Sequence, residues 1–404
     1  MISQTETERQ FFYGCKTGDN KTIISLLEKG VNINKLDENG ITPLRSAFTN
    51  GRFSTVKLLI EKGADIHKEN IYEDTLLIDA CQEGYLDIVK LLLEKGADIH
   101  HKNQYGMTAL TVACTSGHLE IAKLLLEKGA DINHVNLFHM TPLNSACEEG
   151  HLEIVKLLVE NGANINHEDE YDATPIFRAV GNEYIDIVKF MLEKGADINT
   201  TDQYGGTPLI DACQEGYLDI VKLLLENGAD INFTNQRGET PLYSASIYGK
   251  FEIIKLLLEN GANIDKENTS GNTALMRACR GVYLEIVELL LEKGANINHV
   301  NKSGKSPLIY ACQKGNLDIV KLLLEKGADI NHQDIDGDTA LDIAIEKKDK
   351  ELIKILTLHE MKFKEIIKKT SIDSIRIYNI LINTIGEKAI VEDIINMKNE
   401  LKFL

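Results

Sequence analysis

Tryptophan is absent from the 404 residues, proline occurs only six times, and bases are in deficit, 44 against 62 acids. Ile, Asn and Lys abound instead, the bias of an AT-rich coding sequence. The formal charge of −18 argues against a nucleic-acid surface, which needs a basic stripe. Most of the acid excess is recurrent Glu on faces expected to meet solvent, which serves solubility. No run approaches the ~18 consecutive apolar residues of a membrane span. The opening MISQTETERQ lacks the apolar core of a secretory signal. The expectation is a cytoplasmic protein, intracellular at synthesis, with no nucleic-acid or membrane partner; a non-classical export signal would escape this test.

What the chain has in excess is repetition. The segment DACQEGYLDIVKLLLE stands at 79–94 and again, letter for letter, at 211–226. The separation is four periods of 33: Thr42, Thr75, Thr108, Thr141, Thr174, Thr207, Thr240, Thr273, Ser306 and Thr339 recur at that spacing without insertion or deletion. A glycine keeps the same register, from Gly30 through Gly63 and Gly96 to Gly327. A period of this length indicates a stacked solenoid of supersecondary units rather than one globular core.

Each marker has a mechanical reason. Thr before Pro is an N-cap followed by proline at the first helical turn, where a missing N–H costs nothing. An alanine five residues on, from Ala47 to Ala344, lets the short first helix approach its neighbours. The run LDIVKLLLE spaces Ile and Leu at the 3.6-residue period of a second, amphipathic helix. The following glycine suits a left-handed helix end. Asp or Asn followed three later by Gly then marks a type I turn. The predicted repeat is helix, turn, helix and a hairpin-like loop.

These residues resemble the ankyrin repeat, with its TPL helix, its G-H-x-E-I-V-x-L-L-L helix and its G-A-D-I-N loop. The resemblance spans residues 8–360 and implies an all-α solenoid of about eleven repeats. Residues 1–40 are expected to be an N-terminal capping repeat, 41–360 ten repeats with the last a degenerate C-terminal cap, and 361–404 a short helical extension. The repeats are numbered 1 to 10 here by their capping Thr or Ser. One departure is systematic. The histidine after TPL is replaced throughout, by Arg45, Ile78, Thr111, Asn144, Phe177, Ile210, Tyr243, Met276, Ile309 and Asp342.

Apparent chemistry dissolves once it is placed in register. Cys15, Cys81, Cys114, Cys147, Cys213, Cys279 and Cys312 occupy one column on the first helix and are expected to be core, not disulfides or metal ligands. Gly304-Lys305-Ser306 imitates a phosphate loop, yet His299 stands where its first glycine belongs. Asp334 to Asp338 imitates a calcium loop whose glycine comes one residue early and whose closing Glu is missing. His67, His100, His101, His134, His167, His299 and His332 lie in adjacent loop columns without zinc-ligand spacing, and are expected to be solvated. No nucleophile–base pair stands out from the framework. The expectation is no enzyme, no cofactor and no metal.

Function must therefore lie in the columns that vary. In the resembling family, partners engage the hairpin tips and the inner face of the first helices. Three residues before each Thr, at the tip, repeats 2 to 6 carry Tyr72, Tyr105, Phe138, Tyr171 and Tyr204. Ile71, Leu137, Met107 and Met140 flank them. Five successive aromatics in a position expected to be polar predict a binding stripe for a protein or peptide, although the rings could instead stack on one another. The turn glycine is missing in three of these repeats, where Glu73, His139 and Asp172 are expected to take positive φ. The reading is a monomeric, non-enzymatic scaffold with a partner on its concave tip surface. The alternative is an effector or adaptor whose C-terminal segments, 372–385 and 388–404, recruit cellular machinery to a repeat-bound target.

Overall fold

The computed structural model describes residues 4–367, with side chains for 6–360. Both C-terminal segments named above lie outside the described residues. Among the described residues twenty-two helices follow one another and no strand interrupts them. They divide into two compact units, one ending at Gln203 and the other beginning at Tyr204.

In the first unit the short helices Leu76–Gln82, Ala109–Thr115, Pro142–Glu148 and Pro175–Gly181 pack side by side, and each lies against its own longer partner, such as Leu86–Glu94. In the second unit Pro208–Glu215, Pro241–Ile247, Ala274–Gly281, Pro307–Lys314 and Ala340–Glu346 form the equivalent row. The alanines Ala47 to Ala344 are fully buried, so the first helices meet backbone to backbone. Ile88, Val89 and Leu92, and their equivalents in every repeat, close the seam between the two helix rows. Burying each such side chain contributes roughly 1.5–3 kcal/mol. All seven cysteines are buried and unpaired, and burial pushes their thiols far above the ordinary range, which leaves them inert packing groups.

The caps form as the sequence predicts, with two exceptions. Thr108, Thr141 and Thr207 accept from the backbone N–H three residues on, and Ser306 does the same for Ile309, which gives the phosphate-loop lookalike a capping role. Thr75 and Thr174 keep extended cap geometry, but their hydroxyls are buried without a partner. Both follow a turn that lacks glycine. In the third such repeat, Asn144 returns a bond to Thr141 and completes a capping box. The last described helix, Lys350–Ile367, runs through Glu360, where the other repeats have their terminating glycine.

The seven loop histidines require a correction. His67 and His100 are exposed, but the imidazole Nε2 of His101 donates to the Glu73 carbonyl at 2.8 Å and that of His134 to Gly106 at 2.8 Å. His167, His299 and His332 make the same bond to His139, Gly271 and Gly304, at 2.9, 3.0 and 2.6 Å. Each bond ties a loop to the turn of the preceding repeat, 28 residues back. These five histidines are inter-repeat struts, not solvated groups.

Candidate partner-binding surface

Each tip is built from an Asx turn. Asn103 Oδ1 accepts from the N–H groups of Tyr105 and Met107, both at 3.0 Å, and the Gly106 N–H closes on the Asn103 carbonyl at 2.8 Å. Asn70, Asn136 and Asp169 hold the neighbouring tips in the same way. The missing turn glycines have the predicted consequence: Glu73, His139 and Asp172 sit at φ 63°, 54° and 59°.

The tips are then joined to one another. Gln104 N–H donates to the Tyr72 carbonyl (3.1 Å), Leu137 to Tyr105 (3.0 Å), Glu170 to Phe138 (3.2 Å) and Gln203 to Tyr171 (2.9 Å). This ladder occupies the backbone of the tip residues and leaves their side chains to solvent. Tyr72, Tyr105, Phe138 and Tyr171 are 50%, 43%, 43% and 47% exposed, and Ile71 and Leu137 beside them 82% and 68%. Met107 and Met140 are half-buried under the tips. Tyr204, which opens the second unit, is 64% exposed. Among the described residues none of the four first-unit rings makes a ring–ring contact; the aromatic pairs found in this unit are Phe48–Tyr85 and Phe53–Tyr85, away from the tips.

Below Ile71 a groove of about 800 Å³ opens between repeats 1 and 2, walled by Ile41, Phe48 and Tyr85 and floored by Arg45 and Asp79. Arg45 is ion-paired to Asp79 and donates to the Asp74 carbonyl at 2.7 Å. Burial nevertheless dominates at Asp79 and, against the opposing field of Arg45, raises its carboxyl to about 6. At the far end, Arg178 is clamped between buried Asp169 (2.7 Å) and Glu148 (3.6 Å) and lies over the Tyr171 ring. The sequence reading missed both arginines as parts of this surface. Their columns offered no signal, because their carboxylate partners lie on other elements.

Among the described residues no cluster of three or more His, Cys, Asp or Glu could hold a metal ion, and no helix is long and apolar enough to cross a membrane. In the replaced histidine column Ile78, Ile210 and Ile309 are buried and Asp342 boxes the cap of Thr339, whereas Arg45 is the ion-paired group of the groove.

A family model described as ankyrin repeats, in sets of three copies, matches residues 11–103, 77–169, 129–202, 168–235, 209–301 and 294–367. No curated protein matches the chain. Repeats of the matched type are generally protein–protein interaction modules and typically not enzymes. The 33-residue register, the paired helices and matches running from residue 11 to residue 367 together place this chain in the ankyrin-repeat family.

Proposed function

We propose that the chain is a non-enzymatic scaffold that holds a protein or peptide partner along the tips of repeats 2 to 5 and against their inward-facing first helices. The observation that carries this reading is the run of solvent-facing rings at Tyr72, Tyr105, Phe138 and Tyr171, each fixed in place by its backbone and none sheltered by another ring. Exposed, contiguous apolar surface of this kind usually marks an interaction site. Tyrosine is well suited to it, because a large ring is buried at little cost in rotamer entropy. The groove below Ile71 and the flanking Met107, Leu137 and Met140 extend the apolar area.

Capture from native host cells, read by mass spectrometry, tests the proposal. The chain with Tyr72→Ala, Tyr105→Ala and Phe138→Ala should keep its circular dichroism and melting curve and lose the partner that the wild type retains. Retention of the same partner by the triple variant would contradict the reading, and so would loss of folding, which would make the stripe structural.

A further inference from the structure

The second unit carries a cation in a position that the first unit neutralises. Arg277 stands four residues past its Thr, in the column that Arg178 occupies in the first unit. The carboxylates that clamp Arg178 are Asp169 and Glu148; the corresponding positions beside Arg277 hold Asn268 and Ile247. Among the described residues Arg277 therefore has no carboxylate within ion-pair distance, and neither do Arg237, Arg280, Lys302 and Lys305.

These cations share one stretch of surface. Thr269 N–H donates to the Arg237 carbonyl (2.9 Å) and Lys302 N–H to Ser270 (3.1 Å), which joins the tips of repeats 7, 8 and 9. Arg280 lies over the Tyr310 ring, 5.9 Å from its centre. The Tyr310 hydroxyl donates to Asn272 Oδ1 (3.1 Å) and accepts from Asn301 Nδ2 (2.9 Å). Asn268 Nδ2 donates to the Tyr243 hydroxyl (3.2 Å); burial raises that phenol, Arg277 and more weakly Arg280 oppose the shift, and the carboxylate of Glu239, which accepts from Asn235 Nδ2 (3.0 Å), adds to it. The patch ends abruptly. Repeat 10 presents Asp336, Asp338 and Asp342, and Asp338 is held above the ordinary carboxylate range by desolvation and then by Asp334 and Asp342.

We propose that repeats 7 to 9 form a second docking surface, which takes a short, extended, acidic peptide segment of a partner protein. Free guanidinium groups above a phenol and amide floor suit carboxylates. Two steps between repeats, at roughly 9 Å each, accommodate about six residues at ~3.3 Å per residue. The acidic repeat 10 and the overall charge of −18 repel a polyanion long enough to run past the patch, which favours a peptide over nucleic acid.

Fluorescence anisotropy with the full chain and a fluorescein-labelled peptide of six alternating Asp and Glu residues tests this. Binding should saturate, weaken with added salt, and fall by roughly tenfold or more in Arg277→Glu with Arg280→Glu. Lys302→Glu, on the exposed turn and clear of the helix packing, is the second variant and should weaken binding roughly threefold. Tyr105→Ala with Phe138→Ala, in the other unit, should leave the affinity unchanged, so this surface and the aromatic stripe stand or fall separately. Absence of saturable binding, or unchanged affinity in both charge-reversal variants, would overturn the proposal. Tighter binding of an oligothymidylate of equal charge would also overturn it, in favour of nucleic acid.

Discussion

The Arg178 guanidinium lies 5.5 Å from the centre of the Tyr171 ring while its Nε donates to the buried Asp169 carboxylate at 2.7 Å. Asp169 also accepts from the backbone N–H groups of Tyr171 (2.8 Å) and Ala173 (3.1 Å), so one side chain holds both the turn and the arginine that covers it. Removing such a partner strands a partly buried charge and two amides. Asp169→Ala should lower stability by about 3 kcal/mol, and Asp169→Asn, which keeps an acceptor for the amides, by less. Urea unfolding of the variants checks the order.

A second column of left-handed residues lies between the helices of each repeat. It is glycine in most repeats but Glu183, Val282 and Lys348 in three, at φ 61°, 67° and 55°. Valine is the worst suited, because its branched Cβ crowds the following carbonyl. Val282→Gly should stabilise the chain by about 1 kcal/mol. Asp172→Gly at a tip should gain less, because Asp tolerates this region better than Val. Thermal melts compare the two, and a destabilised Val282→Gly would contradict this account of the strain.

Glycine in that column is also required by the next repeat. A Cβ on Gly84 would stand 2.5 Å from the His118 ring, whose Nε2 is bonded to the Gln82 carbonyl at 2.9 Å. Gly63, at a similar φ of 86°, would meet nothing within 4 Å. Gly63→Ala should cost only the left-handed penalty of about 1–2 kcal/mol. Gly84→Ala should cost clearly more and displace His118, a shift visible in its imidazole resonances.

These examples show where sequence reasoning reaches and where it stops. The period and the buried cysteine column were legible because the 33-residue register repeats without a gap, and the caps and the positive φ at Glu73, His139 and Asp172 because each depends on neighbours within a few residues. The histidine struts were misread because their acceptors lie 28 residues away and are backbone carbonyls that carry no sequence signal. The contrast between clamped Arg178 and free Arg277 does not show in their own column, because the clamp comes from Asp169, nine residues before Arg178, where the equivalent position in Arg277's repeat is Asn268. The side-chain exposure of the tips could be expected from the turn, but the ladder that fixes them could not.

Asp79 gives the fold a pH signature. Its carboxyl is raised to about 6, chiefly by burial, above the ordinary 3.8. Between those values the folded chain binds more protons than the unfolded one, so this group's contribution weakens as pH rises from about 4 to about 6. The loss is at most ~3 kcal/mol. In urea unfolding at pH 5 and pH 7, Asp79→Asn should lose less stability over that interval than the wild type. Equal pH dependence would contradict the assignment.

The most direct test of the aromatic surface places a photo-crosslinking residue at Gln104 or Leu137, beside the exposed rings, and for comparison at Lys90 on the second helix. The expected result is one partner protein captured from host cells through positions 104 and 137, lost on Tyr105→Ala with Phe138→Ala, and absent from position 90. Equal capture at all three positions, or capture indifferent to the loss of both rings, would contradict it.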